Sequence, residues 1–134
     1  MKDRLINLLN NSYSPYYNFP VSAVVVTKDG SEFVGVNVEN ANGTSICAER
    51  NAIANAIAYG YKRGDFDKIY IMLSSGVFGT PCFACRQVLL EFMDKECVVI
   101  SVDKNGNERS YTIEELCPYP FGEDDLKWKV VLLV

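Results

Sequence analysis

PCFACRQVLLEF, residues 81–92, is the stretch on which the reading of this chain turns. Proline opens it, and Val88, Leu89 and Phe92 then fall on one face, so the spacing predicts a helix from Cys82 to Met93. Its first turn carries Cys82 and Cys85, and side chains at i and i+3 lie close enough for both sulfurs to face one ion. A second cysteine-led stretch, CAER at residues 47–50, opens an Ala-rich segment free of proline that predicts a largely buried helix from Cys47 to Tyr61, with Gly60 placed to end it.

Working outward, KIYIMLSS at residues 68–75 lies between these helices and reads as a short apolar strand. CVVISVD at residues 97–103 and ERSYTI at residues 108–113 read as two more strands, joined at Asn105-Gly106, and a short helical tail is expected near Ile113–Leu116. Nearer the N-terminus, β-branched runs on either side of Asp29-Gly30 predict a hairpin with strands near 21–28 and 32–38. Before it, Leu5, Ile6, Leu8 and Leu9 give a helical face within Lys2–Tyr13, and YSPYYNFP, with two prolines and several aromatics, reads as a loop. Strands alternating with helices imply a layered α/β domain with its central strands parallel. No repeat or linker interrupts residues 1–134, so one domain is expected.

Composition narrows the function. Of 134 residues, 49% are hydrophobic and 22% charged, as in globular proteins and unlike disordered ones. A net charge of −4 argues against a nucleic-acid partner, which is bound through concentrated Lys and Arg. A small-molecule ligand is expected instead. The N-terminus is too polar for a secretory signal and no apolar run spans a bilayer, so the expected location is cytoplasmic, with no membrane partner. Five cysteines, an odd number, point to metal or catalytic thiols rather than to a disulfide framework.

Histidine, the usual metal ligand and general base, is absent. Cys47, Cys82 and Cys85 supply three soft ligands suited to tetrahedral Zn²⁺ with one corner open, the arrangement of catalytic zinc. The competing reading is a structural zinc closed by Cys97 or Cys117, and a redox CxxC would leave Cys47 and Glu49 without a role. With no imidazole available, Glu49 is the side chain expected to move protons beside a water whose pKa the metal lowers to about 7. On a regular helix, positions two apart diverge by about 200°, so the spacing of Cys47 and Glu49 does not by itself bring them together. Three thiolates leave the site negatively charged, and Arg50 is expected to offset this by hydrogen bonding to sulfur, with Arg86 a second candidate.

These residues resemble the cytidine deaminase family, in its short, homotetrameric, zinc-tris-cysteine branch. The resemblance runs through YSPYYNFPVSA, NVENA, ICAERNAI, PCFACRQVLLEF, TIEEL and FGEDDL, about residues 13–126. The zinc deaminase signature of cysteine ligands, a non-ligand glutamate and PCxxC is described generally for that class. The resemblance implies a three-layer α-β-α sandwich with a mixed five-stranded sheet, Zn²⁺ on Cys47, Cys82 and Cys85, and Glu49 relaying protons from water to the cytosine ring and the departing amine. It further implies that Asn37 and Glu39 hold a ribose hydroxyl, that Phe19 and Ala48 contact the nucleoside, and that Arg50 and Gln87 support the metal site. Phe121 would reach the base from a neighbouring subunit, so that active sites are shared within a homotetramer. The implied reaction is the deamination of cytidine or deoxycytidine to uridine or deoxyuridine with release of ammonia, a step of pyrimidine salvage.

The chain departs from the family pattern in three places. Phe83 and Ser22 stand where glycine is usual, and the segment ENANGTSICAE is one residue short and lacks a tyrosine. The shortened loop suggests a blasticidin-S-type aminonucleoside deaminase as an alternative, while retention of NVEN favours plain ribose. A non-catalytic zinc-stabilised binding module is a further alternative, opposed by the intact Glu49. A polynucleotide deaminase is disfavoured by the acidic balance. The tail LKWKVVLLV, with its apolar run, is expected to be a buried or subunit-facing strand.

Overall fold

The computed structural model describes residues 1–127, so the apolar part of the tail, residues 128–134, lies outside the described residues. Helix α1 (Lys2–Leu9) is followed by β1 (Val21–Thr27) and β2 (Glu32–Val36), then α2 (Ala48–Ala58), β3 (Phe66–Leu73), α3 (Phe83–Phe92), β4 (Val98–Val102), β5 (Glu108–Thr112) and α4 (Ile113–Leu116). A 3-10 turn at Glu123–Leu126 closes the described chain. The sheet order is β2-β1-β3-β4-β5.

Asp29-Gly30 makes the predicted hairpin turn: Gly30 adopts φ +86, which glycine tolerates without strain, and its N–H donates to the Thr27 carbonyl at 3.0 Å. Among the strands of the described residues, only β3 and β4 pair in parallel, with Ile69 opposite Val99. The expectation of parallel central strands is corrected at β1, which runs antiparallel to both β2 and β3. A hairpin strand has entered between two strands of common direction, which makes the sheet mixed.

Side chains alternate between two faces of the sheet. Ala23 and Val25 of β1, Ile69 and Ile71 of β3 and Val99 of β4 face a core filled by Ala52, Ile53 and Ala56 of α2, Leu89 of α3 and Ile113 and Leu116 of α4. Val24, Met72, Ile100 and Val102 face the other way and are covered by Leu5 of α1. Helices therefore flank the sheet on both sides, giving the expected three-layer α-β-α arrangement.

The alanines of α2 decide where that helix sits. Ala48, Ala52 and Ala56 recur every fourth residue and are fully buried, so the helix backbone approaches β2 closely at Gly35. Asn51 and Asn55 on the same helix donate to the Val36 and Val34 carbonyls at 2.7 and 3.4 Å, satisfying acceptors of this edge strand. In this way the sheet fixes the start of α2, where Cys47 and Glu49 lie.

Candidate metal and nucleoside site

Cys47 and Cys82 are the N-cap residues of α2 and α3, with extended backbones at φ −74, ψ 155 and φ −63, ψ 163. The helical-wheel objection to joining Cys47 with Glu49 falls here, because an N-cap residue precedes the helical dihedrals and is not bound by the 100° step. Cys85 is buried in the first turn of α3. The sulfurs of Cys47, Cys82 and Cys85 all lie within 4.8 Å of one another, and those of Cys47 and Cys82 are 3.6 Å apart. Tetrahedral zinc with sulfur at 2.3 Å requires sulfurs about 3.8 Å apart, so the cluster fits that ion.

Electrostatics favours a cation. Cys47 is pulled down to about 5, first by the hydrogen bond from Cys85 and then by those from Arg50 and Cys82. Cys85 is pushed up because it keeps the proton it shares with Cys47, with burial and Glu49 acting in the same direction. A divalent ion can replace that proton, and metal binding to thiols does release protons. Both helix N-termini point their positive ends at the sulfurs. The Arg50 guanidinium donates to Cys47 Sγ and to the Ser45 carbonyl, both at 3.3 Å. Its Nε is buried with no hydrogen-bond partner among the described residues.

Glu49 is only 5% exposed, and burial raises its carboxyl above the ordinary range, with the Cys85 thiol opposing and the Cys47 charge adding to the rise. Such a group can hold a proton as well as give one up. No fourth His, Cys, Asp or Glu joins the three cysteines among the described residues. Cys97 Sγ instead faces the Phe66 carbonyl at 3.4 Å and Cys117 Sγ faces that of Arg86 at 3.7 Å, so neither closes the cluster.

A pocket of about 400 Å³ opens over the sulfurs, lined by Phe19, Asn37, Glu39, Cys47, Ala48, Glu49 and Cys82 among others. It thus gathers most of the expected site residues. Glu39 is 7% exposed and accepts from the Tyr16 and Tyr17 amides at 2.9 and 3.2 Å and from the Ser14 hydroxyl. Asn37 Oδ1 accepts from Val21 N at 2.8 Å and from Ser12 Oγ, while its Nδ2 donates to the Phe19 carbonyl at 2.9 Å. Each keeps spare capacity, one amide hydrogen and one carboxylate lone pair. Ser12 and Ser14 were not singled out in the sequence; hydrogen bonds between distant loop residues leave no periodic signal there.

Two expected residues lie elsewhere. Gln87 does not turn toward the sulfurs: its amide donates to the Phe121 carbonyl at 2.8 Å, because two helical positions beyond Cys85 the side chain points away. Phe121, 58% exposed, is part of a separate cavity wall with Tyr119 and Phe83 and does not line the pocket of its own chain. Arg86 supports the metal loop from outside, donating to Pro81 O, Thr80 Oγ1 and Leu116 O at 2.8–2.9 Å. Phe83, 77% exposed, lies under the Arg86 guanidinium at 4.4 Å and leaves the sulfurs uncrowded.

Comparison with known proteins agrees with this geometry. The family model for the cytidine and deoxycytidylate deaminase zinc-binding region matches residues 1–101. A probable cytidine deaminase of Dictyostelium discoideum is 38% identical over 126 residues, 92% of this chain and 83% of that protein. A cytidine deaminase of Halalkalibacterium halodurans is 35% identical, with 90% and 91% covered. The crystal structure of cytidine deaminase from Burkholderia pseudomallei superposes with a TM-score of 0.83 at 37% identity, covering 89% of this chain and 94% of that one. With three sulfurs spaced for zinc beside a buried glutamate, this chain belongs to the cytidine and deoxycytidylate deaminase family.

Proposed function

We propose that the chain hydrolyses the exocyclic C4–N bond of cytidine and deoxycytidine, giving uridine or deoxyuridine and ammonia. One observation carries this reading: a buried carboxyl, Glu49, stands beside a three-sulfur cluster in the same pocket as the polar pair Asn37 and Glu39. Zinc on Cys47, Cys82 and Cys85 supplies the Lewis acidity that makes water nucleophilic near neutral pH. Glu49 accepts a proton from the attacking water and passes it to ring N3, then accepts the second proton, from the hydroxyl added at C4, and passes it to the amine as the C4–N bond breaks and C4=O forms. Asn37 and Glu39 hold the sugar through the donor and acceptor they have left, Phe19 and Ala48 flank the nucleoside, and Arg50 stabilises the thiolate of Cys47.

The active form is a homotetramer in which Phe121 enters a neighbour's pocket. Its exposure and its place outside the pocket of its own chain support this, as do exposed Phe83 and Tyr119 on the same cavity wall. Residues 1–134 act as one domain, consistent with the core shared by α2, α3, α4 and the sheet. Five unpaired cysteines suit a reducing cytoplasm and a role in pyrimidine salvage, and no helix among the described residues is long and apolar enough to cross a membrane. The acidic net charge of −4 favours a free nucleoside over a nucleic acid.

Ammonia release from cytidine by zinc-loaded protein, beside a chelated control, tests the proposal. Turnover of blasticidin S without turnover of cytidine would overturn it.

A further inference from the structure

The segment Ser14–Phe19 is folded around the Glu39 carboxylate. Glu39 Oε1 accepts two backbone amides, those of Tyr16 and Tyr17, which fill its two lone pairs. Oε2 accepts from the Ser14 hydroxyl alone among the described residues, so the acceptor site left for a ligand lies on the oxygen that Ser14 holds. The same hydroxyl accepts from Phe19 N at 2.9 Å, and the Ser14 carbonyl accepts from Asn18 N at 3.0 Å. Asn18 adopts φ +49, the left-handed turn that brings Phe19 back toward Ser14. On its other side the Phe19 carbonyl is held by Asn37. The peptide groups flanking Phe19 are therefore fixed by both polar residues of the pocket, directly by Asn37 and through Ser14 by Glu39.

We infer that Ser14 is a positioning residue for sugar recognition: its hydroxyl aims the open lone pair of Glu39 Oε2 at a nucleoside hydroxyl and couples that contact to the placement of Phe19. The inference rests on the reading of Asn37 and Glu39 as the sugar contacts. Ser14 itself touches no reacting atom, and the metal cluster and Glu49 stand on other elements, so binding and not chemistry should register its loss.

The experiment compares cytidine with 2′,3′-dideoxycytidine in wild type, Ser14→Ala, Ser14→Cys and Ser14→Thr. Ser14→Ala should raise KM for cytidine about tenfold, the scale of one hydrogen bond to a charged acceptor, with kcat within about twofold of wild type. The preference for cytidine over the dideoxy analogue should collapse by a similar factor. Threonine, which keeps the hydroxyl, should restore the preference. Cysteine, a weak donor of similar shape, should lose it, and gives the same readout if the alanine variant does not fold. Zinc content per chain should stay unchanged. An equal rise of KM for both nucleosides, or a fall in kcat at constant KM, would overturn the inference. Wild-type turnover of cytidine reports on the function reading by itself, so a failure there is distinguishable from an unaltered preference in the variants.

Discussion

Gly35 of β2 and Ala48 of α2 meet backbone to backbone: a Cβ on Gly35 would overlap the Ala48 carbonyl oxygen and come within 2.5 Å of the Ala52 amide nitrogen. Neither is a flexible side-chain tip, so Gly35→Ala must displace the start of α2. We expect a loss of about 1–3 kcal/mol in stability, the usual cost of overpacking, measured by urea unfolding. Zinc affinity should fall as well, because Cys47 caps the displaced turn.

Glu49→Gln keeps the size of the side chain and removes its capacity to relay protons. The variant should retain one zinc per chain by elemental analysis while ammonia release from cytidine falls by about 10²–10⁴, the range for a lost general acid–base group. Undiminished turnover would remove Glu49 from the mechanism.

Arg50→Gln withdraws the guanidinium that donates to Cys47 Sγ. Zinc affinity, read by competition with a chromophoric chelator, should weaken by about 10–100-fold, the scale of losing a partner of a metal ligand.

Sharing of active sites can be tested by mixing. Glu49→Gln and Phe121→Ala proteins should each be weakly active alone. After joint refolding, hybrid oligomers should regain part of the wild-type rate, since Glu49→Gln subunits can supply Phe121 to pockets that still hold Glu49. No recovery in verified hybrids would argue that each pocket is complete within one chain.

Acid stability has a separate origin. Asp29 in the β1–β2 turn accepts hydrogen bonds from the Thr27 hydroxyl, the Tyr61 hydroxyl and the Ser31 amide, and these hold its carboxyl well below the usual range. A depressed carboxylate contributes stability that is complete above the unfolded value of about 3.9 and is lost as pH falls toward the folded value. Asp29→Asn should therefore lower the urea midpoint at pH 6, and the gap to wild type should narrow below pH 4.

Much of the architecture was legible because turn chemistry and apolar periodicity agree along the chain. Asp29-Gly30 and Asn105-Gly106 mark both hairpins, and the Ala-rich and PCxxC stretches mark α2 and α3. Boundaries were less legible where a distant partner decides them. The helix expected through Tyr13 ends at Leu9, because Ser12 and Tyr13 find hydrogen bonds at Asn37 instead. Strand β3 begins at Phe66, two residues before the expected Lys68, since Phe66 is fully buried although charged neighbours hide it in the sequence. The three cysteines were readable as a metal cluster. Ser14 was not, because its importance lies in what it touches across the loop, and Gln87 was misplaced because neighbours in sequence on a helix face different directions.

Cys47 and Cys82 occupy positions where serine, threonine or aspartate would ordinarily lock the first turn, and neither cysteine side chain accepts a hydrogen bond from its helix. Both helices thus begin without a latch of their own, and an ion gripped by both sulfurs fastens the two beginnings to each other. Loading of the cofactor should accordingly register in amide hydrogen exchange as slowed opening of both first turns together, making the ion a rivet of the scaffold as well as a reagent.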